Sequence, residues 1–388
     1  MPAELTAFMN HTLDIRLAPR DYGRMRAPAM NPAQGKWHSG PRAQTFRTRL
    51  LAWYDSHARQ LPWRETRDPY RVWLSEIMLQ QTRVAAVIEH YHEFLRRFPT
   101  VKKLAAAREA SVLAAWSGLG YYRRARMLHA AAKVVVRELR GKFPPSAERW
   151  RALPGIGRYT AAAIASIALD EPVAVVDGNV ERVLQRVSGE RLAGNELWQA
   201  AEQLLDRKRP GDFNQAIMEL GATVCTPRAP ACLTCPVVDL CATRGEMVLP
   251  SKAQRQKKRL IHYALECRDG KVFLVQRPRD ASQMAGMWEL PEIPSGAKAR
   301  FNGAGEIAAL KALRHPKAKP AHASSEGCFT LKHSITVTDY TVRVWRQPAP
   351  PQPEARGKWV AVGRLGRIAL TGLARKILRK AALLATSK

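Results

Sequence analysis

Two hydrophobic periodicities divide this chain. From Thr45 onward, apolar positions recur at helical spacing. Breakers cut this region into segments: Gly118 and Gly120, Pro144-Pro145, Pro154, Pro172 and Pro210-Gly211. Asp68-Pro69 supplies a cap followed by a first-turn proline, so a helix is predicted from Tyr70 to about Phe98. Further helices are predicted over 102–116, 123–140, 147–152, 159–169, 179–188 and 196–205. Residues 45–245 therefore read as one all-helical domain. After a polar, basic linker (246–259, with Ser251 to Arg259 at its centre) the period drops to two. Strands are predicted over 260–267, 271–276, 336–346 and 357–362, with one helix over about 306–315 and a Pro-rich loop over 348–353. This makes 260–378 a small α+β domain, followed by a tail at 379–388. Residues 1–44 are rich in Pro, Arg, Gly and Met without apolar period, and read as a disordered extension.

Charge narrows the function. The 388 residues carry 63 Lys and Arg against 33 Asp and Glu, a formal net charge of +30. Such an excess repels itself unless a polyanion neutralises it, and nucleic acid is the usual one. No apolar run approaches the roughly 18 residues of a membrane span, and no apolar signal core stands at the N-terminus. Membrane insertion and secretion are therefore not expected. Six cysteines in such a chain argue for metal binding or catalysis over a disulfide scaffold.

Four of them, Cys225, Cys232, Cys235 and Cys241, are spaced C-x6-C-x2-C-x5-C. Structural zinc sites usually use two close pairs. Here one close pair is flanked by two spread cysteines, which favours a cubane cluster with separated corners over a single ion. Four unrelated core cysteines are the bland alternative. Cys267 and Cys328 stand alone and read as ordinary buried thiols.

Three further stretches carry candidate chemistry. Leu153-Pro154-Gly155-Ile156-Gly157-Arg158 joins two predicted helices. Its glycines allow close backbone approach and the next helix offers free N–H groups, so it reads as a phosphate-binding hairpin or a plain turn. Asp177, in Val-Val-Asp-Gly-Asn-Val, reads as a helix cap or as a functional acid. Glu76 is the one acid in the apolar run Tyr70 to Thr82, on a helix face shared with Trp73 and Gln80. A carboxyl buried there tends to stay protonated, as a general acid must be. A surface Glu with apolar neighbours facing away is the alternative.

Taken together, these residues resemble the adenine DNA glycosylases of the MutY family, in the endonuclease III superfamily. The match rests on W-L-S-E-x-M-L-Q-Q-T, V-D-G-N-V, L-P-G-x-G, G-L-G-Y-Y and the cysteine spacing. It runs strongly over residues 45–245 and more loosely over 260–378. The resemblance implies an all-α helix–hairpin–helix domain with a [4Fe–4S] loop on Cys225, Cys232, Cys235 and Cys241, then a Nudix-like α+β domain. It implies a duplex DNA partner holding adenine opposite guanine or oxidised guanine. Glu76 would protonate the flipped adenine, Asp177 would stabilise the sugar cation, and Tyr159 and Asn179 would position them. Trp63, Arg64, Gln80, Gln81, Gly155 and Gly157 would contact DNA. Tyr121 would wedge into the duplex, with Tyr122 packed in the core. The lyase Lys of endonuclease III-type enzymes is replaced by Tyr159, which implies little strand nicking.

In the second domain, Gln276-Arg277-Pro278 and Ala285 to Pro291 look Nudix-like, yet the following predicted helix holds a single acid, Glu306. Mg²⁺-dependent hydrolysis is therefore not expected. The family reads the opposite base with an F-S-H loop. This chain has Leu331-Lys332-His333 there, so Lys332 and His333 become the candidate contacts. A monomer in the bacterial cytoplasm, on the nucleoid, is the expected setting. An endonuclease III-like pyrimidine glycosylase and a non-catalytic cluster protein are the rival readings.

Overall fold

The computed structural model describes residues 38–247, 257–281, 283–294, 328–335, 338–350 and 356–385. The predicted helix over 306–315 lies outside them. The first domain is helical throughout: α1 (Gly40–His57), α2 (Pro69–Leu79), α3 (Val84–Arg97), α4 (Val101–Ala106), α5 (Glu109–Ala115), α6 (Arg123–Arg137), α7 (Ala147–Arg151), α8 (Arg158–Leu169), α9 (Gly178–Ser188), α10 (Gly194–Leu204) and α11 (Pro210–Thr223). Two single 3-10 turns, Cys232–Thr234 and Val238–Leu240, follow. The helical domain thus starts inside the stretch expected to be a disordered extension, because α1 begins at Gly40 and buries Ala43 and Phe46.

Side-chain pattern decides which helix is central. α2 and α8 are apolar nearly all round, so both are buried, and they pack on each other. Trp73 of α2 meets Trp150 of α7 edge-on at 5.6 Å between ring centres. Asp68 caps α2 by accepting the Arg71 N–H, and Pro69 fills its first turn. The single helix expected from Tyr70 to Phe98 is in fact two. The chain breaks over 80–83, where Gln81 takes a left-handed backbone (φ 55°). Neither Gly nor Pro marks this break, so periodicity runs straight through it. The helix expected over 102–116 is likewise split into α4 and α5, and α11 was not anticipated despite Pro210 in its first turn.

The second domain has two sheets. β1 (Lys257–Ala264) lies parallel to β6 (Thr338–Trp345), and β5 (Cys328–Ile335) runs antiparallel to β6 on its other side. In the other sheet, β3 (Lys271–Gln276) is flanked by β7 (Arg356–Ala361) and by the short β2 (Cys267–Arg268) and β4 (Trp288–Glu289). A 3-10 segment, Val362–Arg367, and helix α12 (Gly372–Lys380) close the core. The Leu331-Lys332-His333 segment, expected as a loop, is the middle of strand β5, with Leu331 opposite Val342. Cys267, expected to be buried, is exposed in β2.

The two domains are packed together. Met287 and Ala369 are buried in the core of the helical domain. Ser117 Oγ and Tyr122 Oη both donate to the Leu370 carbonyl, at 2.9 and 3.1 Å. Arg375 Nε in turn donates to Ser117 Oγ, at 3.0 Å. Tyr122 is buried, as expected of it.

The hairpin between α7 and α8 depends on one glycine. Gly155 is left-handed (φ 76°), and a Cβ there would lie 2.4 Å from Met127 Cβ. Gly155→Ala should destabilise the protein by about 2 kcal/mol or more through strain plus overlap, read as a lower urea midpoint. An unchanged midpoint would mean the hairpin does not need this shape.

Candidate catalytic pocket and cysteine loop

A cavity of about 650 Å³ opens between α2, α8, α9 and α11. Glu76, from the last two turns of α2, forms part of its wall and is 6% exposed. The Tyr159 hydroxyl, from the first turn of α8, donates to Glu76 Oε2 at 2.8 Å. Burial raises the Glu76 carboxyl to about 7. The Tyr159 bond and Arg64 oppose that shift, and the charge of Asp177 adds to it. Burial also holds the Tyr159 hydroxyl far above its ordinary range, so it stays a donor. Near neutrality Glu76 is therefore poised to give up a proton, as a general acid requires.

Asp177 faces the same cavity and is also the cap of α9. Both local readings of this residue hold at once. Its Oδ1 accepts the Asn179 and Val180 N–H groups at 2.9 and 2.7 Å, and Oδ2 accepts Asn179 Nδ2 at 3.0 Å. Negative charge is favoured at a helix start, and three donors fix the carboxylate's direction. Asn179 is itself held. Arg182 Nη2 donates to its Oδ1 at 2.8 Å, and Gly221 of α11 lies so close that a Cβ there would be 2.6 Å from Asn179 Cβ. Glu76, Asp177, Tyr159 and Asn179 are thus brought together as expected.

Sequence reasoning missed a third acid in this cavity. Glu219 of α11 is 1% exposed. Arg59 reaches it with Nε at 2.6 Å and Nη2 at 2.7 Å, and Arg64 Nη2 at 2.8 Å. Burial alone would raise Glu219, but the two guanidinium groups overcome it and hold the carboxyl at about 2. The signal was available: Glu219 is the one acid in the apolar stretch 216–222, a pattern similar to the one that singles out Glu76. Arg64 lines the cavity through this pairing. Trp63 beside it is buried against Tyr91, ring centres 5.5 Å apart, so it forms cavity wall and is no surface contact.

Gln80 Nε2 donates to Thr160 Oγ1 at 3.2 Å and, with Gln81, lines the mouth. Gly155 and Gly157 are exposed at the hairpin, with Gly157 at the start of α8. A second cavity of about 1130 Å³ lies between the domains and is lined by Gln81, Tyr121, Arg124, His333, Ser334 and Arg375, among others. Tyr121 is 49% exposed there. Lys332 is not among its lining residues. Strand alternation turns Lys332 away from the face shared by Leu331 and His333, and Leu331 is buried in the sheet core. Of Lys332 and His333, both expected to contact the opposite base, only His333 lines this cavity.

The four spaced cysteines line one small apolar cavity with Val183, Val187, Pro230 and Val237. Among the described residues, no three His, Cys, Asp or Glu side chains converge on a single ion. Such convergence is not what a cubane needs, since each thiolate binds its own corner. The loop is tied to α9. Arg182 Nε donates to the Cys225 carbonyl at 2.7 Å, and Arg186 donates to Cys225 Sγ at 3.4 Å and to the Thr226 and Pro227 carbonyls at 2.7 and 2.9 Å. These arginines were also missed, because arginine four apart on a helix reads as a solvated face.

Residues 74–206 match the HhH-GPD superfamily of base excision DNA repair proteins, and residues 262–380 match the NUDIX domain. Adenine DNA glycosylase of Mus musculus is 42% identical over 312 residues, covering 64% of this chain and 60% of that protein. The Homo sapiens enzyme is 41% identical over 313 residues, 64% of this chain and 57% of that protein. That of Schizosaccharomyces pombe is 32% identical over 323 residues, 65% of this chain and 70% of that protein. A solved thermostable thymine-DNA glycosylase is 30% identical, with a TM-score of 0.50, over 52% of this chain and 96% of its own. The chain belongs to the adenine DNA glycosylase family. It spans about 60% of the length of the mammalian relatives.

The buried acid has a stability cost with a defined sign. The folded carboxyl binds its proton more tightly than the unfolded one, so stability falls as pH rises from about 4.5 to about 7. Glu76→Gln removes that penalty. Its stability gain over wild type should be larger by about 2 kcal/mol at pH 8 than at pH 5, measured by urea unfolding at both. A gain independent of pH would place the Glu76 carboxyl in water.

Proposed function

We propose that this chain is an adenine DNA glycosylase of base excision repair, acting on adenine opposite guanine or oxidised guanine in duplex DNA. The observation that carries the reading is a pair of carboxyls in one cavity with unlike surroundings: Glu76 buried and near-neutral, Asp177 fixed by three N–H donors. Unlike environments let two acids divide the work of glycosidic cleavage. A base inside the duplex is out of reach, so adenine is flipped into the cavity. Glu76 protonates the adenine ring, which then leaves as a neutral base. Asp177 stabilises the cation left on the sugar. Tyr159 orients the acid, Asn179 orients Asp177, and the ionised Glu219 with Arg64 offers an acceptor and a donor to the base edge. The rival lyase reading needs an amine at the hairpin. Position 159 is a tyrosine whose hydroxyl is already committed to Glu76.

Gly155 and Gly157 bring the hairpin backbone to a phosphate, and the net charge of +30 supplies the non-specific attraction. His333 and Tyr121, which both line the interdomain cavity, read the opposite base. Cys225, Cys232, Cys235 and Cys241 would hold a [4Fe–4S] cluster, whose contribution here is to fasten the loop that Arg182 and Arg186 join to α9. Among the described residues no helix is long and apolar enough to cross a membrane. The setting proposed is a monomer on the bacterial nucleoid.

Anaerobically purified protein should contain about four irons and four sulfides per chain. Stoichiometric zinc without iron would overturn the cluster assignment. For the chemistry, excision is measured under single-turnover conditions on duplexes with adenine opposite each base and opposite oxidised guanine. Glu76→Gln should still bind the mispair while excision falls at least about a hundredfold. A variant that excises adenine at the wild-type rate would remove Glu76 from the acid role.

A further inference from the structure

One guanidinium joins two of the loops that line the interdomain cavity. Arg124, in the first turn of α6, is half-buried, with its head enclosed by backbone. Its Nη1 donates to the carbonyls of Ile77 (2.6 Å), Met78 (3.0 Å) and Gln80 (2.5 Å). These belong to the end of α2, where carbonyls have no helical partner and a cation is favoured. Its Nη2 donates to Thr82 Oγ1 (3.1 Å) and to the carbonyls of Leu119 (3.3 Å) and Gly120 (3.4 Å). The same guanidinium lies 5.5 Å from the ring centres of both Trp116 and Tyr121.

The loops it joins are both in costly conformations. Gln81 (φ 55°) and Tyr121 (φ 47°) are left-handed without being glycine. Gly118 and Gly120, also left-handed, make the turn that presents Tyr121. Trp116 Nε1 donates to the Gly120 carbonyl at 3.2 Å, so that carbonyl is shared between the indole and Arg124. Left-handed residues persist only where their surroundings over-determine them. Arg124 is the group common to both surroundings. Burial lowers its pKa to about 10, which leaves it charged at neutral pH.

We propose that Arg124 is a positioning residue that locks the Gln81 and Tyr121 loops into one rigid wedge for opening mispaired DNA, at a fixed distance from Glu76. Through Ile77 and Met78 it grips the same turn of α2 that carries Glu76. Separation of the strands and delivery of adenine are thereby referred to one helix end. This rests on the function proposed above. The residue acts through Tyr121 and needs no contact with DNA itself.

The test is a double-mutant cycle read as binding preference. Lysine keeps the charge but has no planar five-donor fork, so Arg124→Lys cannot reach both loops. Dissociation constants are measured for wild type, Arg124→Lys, Tyr121→Ala and the double variant. Each is tested on a duplex with adenine opposite oxidised guanine and on a matched duplex. Arg124→Lys should weaken mispair binding about tenfold and leave matched binding within about twofold. In the Tyr121→Ala background the further loss should shrink to about twofold or less. Equal losses on both duplexes, or full additivity with Tyr121→Ala, would overturn the proposal. Should circular dichroism show Arg124→Lys to be misfolded, Thr82→Val removes one acceptor of Arg124 together with the 3.3 Å bond that Thr82 Oγ1 donates to the Gln80 carbonyl. It should give a loss of about threefold that again vanishes without Tyr121. A wild-type protein without mispair preference would instead bring down the underlying reading, a result distinguishable from failure of the cycle.

Discussion

A carboxyl cannot be taken out of water without either a partner or a proton, and the helical domain is arranged around two answers to that constraint. Glu219 is given partners. Arg59 and Arg64 surround it, and the acid stays ionised although it is almost wholly buried. Glu76 has no paired cation: burial, helped by the nearby charge of Asp177, outweighs the opposing Tyr159 hydrogen bond and Arg64, so it keeps a proton up to about neutrality. Both acids look into the same cavity. The chemistry proposed for the site uses the near-neutral Glu76 together with Asp177, and the paired Glu219 adds a fixed anion beside them in the same pocket.

Asp177 is held by its own set of contacts. α9 starts at Asp177, is crowded by Gly221 of α11, and carries Arg182 and Arg186 on the face toward the cysteine loop. Arg182 alone touches Asn179, the Gly221 carbonyl and the Cys225 carbonyl. The cysteine loop is therefore joined, through the Arg182 guanidinium, to the residue that orients Asp177. Whatever fixes the loop also fixes α9.

The second domain meets the first through a similarly small set of contacts. The Leu370 carbonyl collects the hydroxyls of Ser117 and Tyr122, and Met287 enters the helical core. This docking puts His333 and Tyr121 in the lining of one cavity, and the register of β5 decides that His333, and not Lys332, is the one that lines it. A one-residue change of register would exchange their faces.

Much of this was legible in the residues themselves. The switch from a helical to a two-residue period separates the domains because helices and strands bury their faces with different repeats. Glu76, Asp177 and the four cysteines announce themselves because an isolated acid in an apolar helix, or thiols at fixed intervals, have few structural uses. Local pattern could not show what is held by distant partners. Arg124 breaks the predicted helix after Leu79 from 44 residues downstream, through the Gln80 carbonyl, and no residue at the break betrays it. Trp63 and Leu331 sit in segments that read as contacts with DNA, yet packing buries them. Glu219 becomes an anion only because Arg59 and Arg64 arrive from 160 and 155 residues away in the chain. Periodicity and spacing are carried by neighbours in sequence. Protonation, exposure and the join between two loops are set by groups that meet only when the chain has folded.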